Sequence, residues 1–324
     1  MLEIETPLRL EQPDDTNERT RAIQALLLTW FEQNARDLPW RRIRDPYRIM
    51  VSEIMLQQTQ VDRVIPKYFA FLAAFPTLDA LADASTADVI RAWAGLGYNR
   101  RAVNMQRAAR AVRDEYSGQF PQTVEQLLAL PGIGPYTAGA IACFAFEADV
   151  GFIDTNIRRV LRRLFFEPHE QPSERTLVEL AQTLVPPGNG WQWNQAIMEL
   201  GALVCTAANP LCWRCPLREQ CRDYAWRRSA DEQVVLAYGS EVPAPRRRIA
   251  ERGQPAFAGS SRFFRGKIID VLRTHPEGIA VMALGPLVKD DYAESDRDWL
   301  ETLIAGLVRD GLAERRGDDI RLPA

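Results

Sequence analysis

The chain is nearly without lysine. Of its 40 basic residues only Lys67, Lys267 and Lys289 are lysines; every other one is arginine. No lysine falls between Lys67 and Lys267, so chemistry that builds an imine on a lysine amine is poorly supplied through the middle of the chain. Long apolar runs are missing as well. None approaches the roughly 20 residues that a membrane span needs. The opening MLEIETPLRLEQPDDTNERT is acidic and broken by prolines, which fits neither a signal nor a transit peptide. A cytoplasmic protein with no membrane partner is therefore expected. Cysteine is scarce: there are five, and Cys205, Cys212, Cys215 and Cys221 are clustered. That usage fits a metal site in a reducing compartment better than a disulfide framework. Internal repeats and low-complexity tracts are absent. From about Arg19 to Pro216 no alternating strand pattern appears either, which excludes a β-rich body.

An excess of positive charge is also lacking, since the 324 residues carry a net charge of -3. Taken as a sum, this argues weakly against a nucleic-acid partner. Distribution matters more. Arg100, Arg101, Arg107, Arg110 and Arg113 meet no acid until Asp114, and Arg158, Arg159, Arg162 and Arg163 follow Asp154. Such runs are read equally well as solvated helix faces or as phosphate-binding surface.

What is present is helical periodicity. Ile23, Leu26, Leu27, Trp30 and Phe31 share one face, as do Ile49, Met50 and Ile54. Turn signals stand at Asp45-Pro46, Phe75-Pro76 and Phe120-Pro121. Residues 1–18 read as a flexible tail, and 227–259, rich in Pro, Arg and small residues, as a linker. Beyond the linker, helices are expected over Phe263–Thr274, Val281–Val288 and Asp296–Asp310. Two short strands around a Gly-Asp turn follow within Gly311–Leu322. Residues 260–324 thus read as a winged-helix-like α+β module.

The cysteines lie in CTAANPLCWRCPLREQC, a C-x6-C-x2-C-x5-C spacing. Thiolates this close can wrap soft metal ions. Zinc ribbons usually pair two C-x2-C knuckles, and only one is present. Iron–sulfur clusters accept irregular spacings, so spacing leans toward iron–sulfur with zinc as the competing reading. Cys143, in the apolar run AIACFAF, reads as core.

Three further segments carry chemistry. In LLALPGIGPYTAGAIACFAF, Gly132 and Gly134 let the chain turn tightly and present bare N–H groups at a helix start, where a phosphate can bind. Asp154, in FIDTNIRRV, stands at a helix N-cap; capping alone would account for it. Glu53, in VSEIML, is an acid within an apolar helix: surface exposure is the usual reading of such an acid, and partial burial, which its apolar neighbours favour, would raise its pKa toward neutrality. A carboxylic acid and a carboxylate form the pair that breaking an N-glycosidic bond calls for.

Taken together, LPWRR, DPYRIMVSEIMLQQTQV, GLGYNRRAVN, LPGIGPYTAGAIA, FIDTNIRRVLRR, WNQAIMELGALVC and the four cysteines resemble the helix-hairpin-helix glycosylase superfamily. More narrowly, they resemble the MutY-type adenine DNA glycosylases, over roughly residues 20 to 225. The resemblance implies a mainly α, helix-hairpin-helix glycosylase fold with a [4Fe–4S] loop. Residues 19–41 would pack with 151–226 as the cluster domain, and 42–150 would form a six-helix barrel. It implies Glu53 as the general acid, Asp154 as the carboxylate facing the sugar cation, and Asn156 in support of it. Tyr136 matches the tyrosine of many adenine glycosylases, at the position where endonuclease III relatives carry a lyase lysine; a monofunctional enzyme is implied. Trp40, Arg41 and Leu56 match the adenine pocket, Gln195 a reader of the base edge, and Gln58 and Tyr98 residues that enter the duplex. For Trp40 and Leu56 plain core packing is the competing reading. The implied partner is double-stranded DNA with a mispaired or oxidised base, met by a nucleoid-associated monomer.

In one respect the chain departs from the family. Many adenine glycosylases end in a nucleotide-hydrolase-like domain that recognises 8-oxoguanine, and residues 260–324 do not resemble it. The winged-helix-like module is expected to add weak DNA contacts or to dock a repair protein. Three activities stay open: removal of adenine opposite 8-oxoguanine or guanine, removal of thymine or uracil opposite guanine, and non-catalytic damage sensing. LQQTQ and Gln195 favour the first.

Overall fold

The computed structural model describes residues 13–229 and 257–324, with side chains from Asn17 onward. Most of the expected linker, 230–256, lies outside the described residues, as does 1–12. Backbone contacts divide the rest into two compact units, 13–37 with 147–229 and 38–146 with 257–324.

Helix α1 (Pro13–Asn34) opens the first unit. It reaches back into the stretch expected to be a tail, because a proline is tolerated in the first turn, where its missing N–H has no helical partner. The second unit then runs α2 (Pro46–Leu56), α3 (Val61–Ala74), α4 (Leu78–Asp83), α5 (Thr86–Ala92), α6 (Arg100–Glu115), α7 (Val124–Leu128) and α8 (Pro135–Phe146). First-unit helices α9 (Thr155–Phe165), α10 (Glu174–Thr183) and α11 (Gly190–Leu203) come next, followed by the cysteine loop and a helical stretch over 222–229. The second unit resumes with α12 (Ser261–Thr274), β1 (Ile279–Ala280), α13 (Val281–Val288), α14 (Arg297–Arg309), β2 (Glu314–Arg316) and β3 (Asp319–Arg321). The mainly helical fold agrees with the sequence, and so does the small C-terminal module with its β2–β3 hairpin.

Local chemistry sets these boundaries. Asp45 accepts from Arg48 N and Pro46 takes the first position of α2; Ser85, Thr123 and Ser260 cap α5, α7 and α12 in the same way. Helices α2 and α8 are buried on almost every side, from Tyr47 to Met55 with Arg48 excepted and from Thr137 to Ala145. They pack on each other at the centre of the unit. Any acid on α2 is thereby drawn inside.

The C-terminal sheet has the order β1-β3-β2, all antiparallel, with Ile279 opposite Ile320 and Arg315 opposite Ile320 on the other edge. Sequence periodicity passed over β1 because two residues cannot establish an alternation. The module does not keep its core to itself. Ile268, Ile269 and Leu272 of α12 share one buried cluster with Leu284, Leu300, Ile304 and Ile320, and with Ala87, Ile90 and Val103 of α5 and α6. Burial of that shared apolar surface is what makes residues 257–324 and 38–146 one unit.

Candidate active site

In the second unit, α2 places Glu53 in its last two turns at 2% exposure. Tyr136, at the second position of α8, donates its hydroxyl to Glu53 Oε2 at 2.5 Å. One turn away, Gln57 Nε2 donates to Thr137 Oγ1 at 3.1 Å, so the end of α2 and the start of α8 are tied twice. Burial of Glu53, one of two readings that the sequence left open, is what the structure shows.

Besides Ser117, two described non-glycine residues of this unit are left-handed, Gln58 at φ 57° and Tyr98 at φ 46°. Each costs roughly 1–3 kcal/mol and persists only where the surroundings overrule it. Both side chains are exposed, Tyr98 at 44%. One guanidinium holds both turns. Arg101 Nη1 donates to the carbonyls of Ile54 (2.7 Å), Met55 (3.3 Å) and Gln57 (2.5 Å), while Nη2 donates to those of Leu96 (3.1 Å) and Gly97 (3.3 Å). Its head also lies 5.3 Å from the Trp93 ring centroid and 5.7 Å from that of Tyr98. Burial holds its pKa down to about 10, still charged at neutrality. Sequence reading had this residue only as one of a basic run.

Between α7 and α8 the hairpin turns at Gly132, at φ 76°, where a Cβ would come within 2.5 Å of Asn104 Cβ. No other residue fits. Gly134 leads into α8, its carbonyl accepting from Ala138 N, with open space about its Cα. Trp40, in the 3₁₀ turn Pro39–Arg42 with Arg41, is buried edge-on against Tyr68 at 5.5 Å between centroids. Leu56 ends α2 half-buried.

In the first unit Asp154 does cap α9: its Oδ1 accepts from Ile157 N at 2.6 Å. The other oxygen, Oδ2, accepts from Asn156 Nδ2 at 3.1 Å, and Asn156 Oδ1 accepts in turn from Arg159 Nη2 at 2.7 Å. Burial pushes the Asp154 carboxyl above the usual range, and these donors pull it back. Arg159 continues to the carbonyls of Gly201 and Cys205, each at 2.7 Å. Gly201 is required there, since a Cβ would sit 2.7 Å from Asn156 Cβ. Gln195 is buried on α11, and Glu199, one turn on, takes both donors of the Arg36 fork at 2.8 Å.

The four cysteines, none in a disulfide, line one cavity with Arg163, Val204, Pro210 and Tyr224 among its other walls. Arg163 Nη1 approaches Cys205 Sγ at 3.3 Å and donates to Thr206 O at 2.7 Å, and Cys221 Sγ donates to Arg163 O at 3.2 Å. Among the described residues no three His, Cys or acidic side chains converge on the point that a single bare ion would occupy. Burial pushes the Cys215 thiol up to about 12 and Cys221 up to about 11. Cys143 is core.

Four arginines of the two runs turn out to be internal donors. Arg101, Arg110, Arg159 and Arg163 spend their guanidinium groups on backbone carbonyls, and Arg113 and Arg158 pair with Asp83 and Glu174. Backbone carbonyls leave no trace in side-chain sequence, so nothing there could have revealed the partners of the first four.

Known proteins share this architecture. The model of the HhH-GPD superfamily base excision DNA repair protein matches residues 51–187. The adenine DNA glycosylase of Mycolicibacterium smegmatis is 40% identical over 284 residues, spanning 87% of this chain and 91% of the relative. The human adenine DNA glycosylase is 44% identical over 236 residues, 69% of this chain but only 43% of the human protein. Among solved structures, a thermostable thymine-DNA glycosylase has TM-score 0.62 and 31% identity, covering 65% of this chain and 99% of that one. A non-covalent endonuclease III–DNA complex, 22% identical at TM-score 0.55 over 65% of this chain and 98% of that one, shares the fold. On this likeness the chain belongs to the adenine DNA glycosylase family, within the HhH-GPD superfamily of base excision DNA repair proteins.

Proposed function

We propose that this protein is a monofunctional DNA glycosylase that flips adenine out of a mispair with 8-oxoguanine or guanine and hydrolyses its N-glycosidic bond. The observation that carries the reading is Glu53, a carboxyl on a buried apolar helix held at one oxygen by the Tyr136 hydroxyl. Accepting at Oε2, Glu53 keeps a fixed orientation while it delivers a proton to a ring nitrogen of the departing base. The C1′–N bond then breaks with its electron pair leaving on adenine, and positive charge develops on the sugar. Asp154 answers that charge as a carboxylate. Asn156 and the Ile157 N–H favour its ionised form against the pull of burial. Water adds at C1′ and gives its proton to Glu53, restoring the acid.

The remaining roles are those that the family resemblance implies. Gln58 and Tyr98, exposed on strained turns, enter the duplex to hold the gap that the flipped base leaves. Gly132 and Gly134 present backbone N–H groups to a phosphate. Trp40, Arg41 and Leu56 border the adenine pocket and Gln195 reads the base edge. The cysteine cavity suits a [4Fe–4S] cluster held by Cys205, Cys212, Cys215 and Cys221, whose irregular spacing has one C-x2-C knuckle where a zinc ribbon has two. When bound, such a cluster would be held by these four side chains as thiolates, their protons released, and would order the loop.

Thymine removal is the second reading, favoured by the likeness to the thermostable thymine-DNA glycosylase. A panel of mispaired duplexes assayed for released base separates the two. Glu53→Gln should then lower single-turnover adenine release by about 10²–10⁴-fold with mispair binding retained, because the amide keeps shape and cannot give up a proton. Release at the wild-type rate would remove Glu53 from the chemistry.

A further inference from the structure

Two arginines of α12 reach out of the C-terminal module. Arg262 Nη1 donates to the Tyr98 hydroxyl at 3.0 Å. Arg273 Nη2 donates to Asn99 Oδ1 at 2.9 Å, and its Nε to Ile90 O at 3.2 Å. The two side-chain acceptors are consecutive residues of one turn. Asn99 stands at the N-cap of α6, where asparagine ordinarily bonds the open N–H groups of its own helix. Here it makes no such bond, and its oxygen faces Arg273 instead. Local capping has been given up for a contact with the module.

The position of α12 is itself set by burial. Ile268, Ile269 and Leu272 sit in the core shared with α5 and α6, and Ala87 N donates to Pro323 O at 2.8 Å at the end of the module. Arg262 therefore starts from a fixed helix. The tyrosine it meets is 44% exposed, has a left-handed backbone, and carries Arg101 against its ring. An exposed tyrosine held only at its Cα would sample several rotamers. With one guanidinium at the ring and another at the hydroxyl, that freedom is reduced before any duplex arrives.

We propose that Arg262 is a positioning residue for Tyr98, and that through it the C-terminal module is part of the mispair-reading surface rather than a separate DNA-binding appendage. The inference rests on the reading in which Tyr98 enters the duplex. Presetting a side chain lowers the ordering cost of insertion, so its benefit falls only on duplexes that Tyr98 enters. A phosphate contact, by contrast, would help every duplex alike.

A double-mutant cycle in the full-length protein tests this, with Arg262→Ala, Tyr98→Phe and the pair. Adenine opposite 8-oxoguanine and a fully paired duplex are compared for binding, the mispair also for single-turnover release, and melting temperatures are taken throughout. Each single change should lower the preference for mispaired over paired duplex by about threefold to tenfold, with the double no worse than the larger single. Melting temperatures should hold, and Arg262→Lys should recover part of the preference because an ammonium can still donate to the hydroxyl. Additive losses, an equal loss on both duplexes, or unchanged preference in either single variant overturns the proposal. If the wild-type protein releases no adenine, the proposed function fails. The binding arm of the cycle still decides whether Arg262 and Tyr98 are coupled.

Discussion

Arg101→Ala removes the side chain that bonds both the end of α2 and the Leu96-Gly97 turn. The side chain caps the last turn of α2 at Ile54 and Met55, holds the Gln57 carbonyl beside the strained Gln58, and bonds Leu96 and Gly97 on the other side. Helix C-terminal carbonyls have no partner within their own helix. Each carbonyl stranded in the interior costs about 1–3 kcal/mol. Water can serve the exposed Gly97 contact, and the Nε of Arg101 is buried with no partner, so part of the gain is already offset in the native protein. A net loss of about 3 kcal/mol follows, which for a unit of roughly 150–250 residues lowers Tm by about 6–12 °C. Arg101→Lys should recover little, since an ammonium cannot fork across both turns. Circular dichroism melts give the stability, and binding to mispaired and paired duplexes gives the function, because both left-handed turns relax once the clamp is gone. An alanine variant that melts within about 2 °C of wild type and keeps its mispair preference would show that the turns hold themselves.

Three other outcomes are expected. Borohydride should trap no covalent imine with DNA: Tyr136 occupies the hairpin position, Lys67 lies against Gly95, and Lys267 and Lys289 engage Phe263 and Asp296. A strong adduct that survives replacement of Lys67 would defeat the monofunctional reading. Cys212→Ser should strip iron from the protein and weaken duplex binding, since a hydroxyl replaces one of the four sulfur ligands; zinc without iron in anaerobically prepared wild type would refute the cluster. In Asn156→Ala, Asp154 loses a donor that favours its ionised form, so its carboxyl titrates still higher. The acid limb of base release should therefore move to higher pH, and an unmoved limb in single-turnover profiles counts against Asp154 acting as a carboxylate.

Residue type and chain order by themselves determined a great deal here. Helical spacing, the glycine pair of the hairpin, the four thiols and the two acids were each legible, because period, turn chemistry and ligand chemistry are local properties. The scarcity of lysine was legible for the same reason. Only the tertiary structure decided that Glu53 is buried rather than exposed, and that Asp154 is a helix cap whose second oxygen is held by Asn156. It also turned Arg101, Arg110, Arg159 and Arg163 inward, onto carbonyls whose positions no side-chain pattern encodes. The C-terminal module is the clearest case. Its helices and hairpin were visible as periodicity, yet its union with α5 and α6 rests on Ala87, Ile90 and Val103, apolar residues far away in sequence that announce burial without naming a partner. Arg262 and Tyr98, 164 positions apart, meet only because that shared core brings their backbones together.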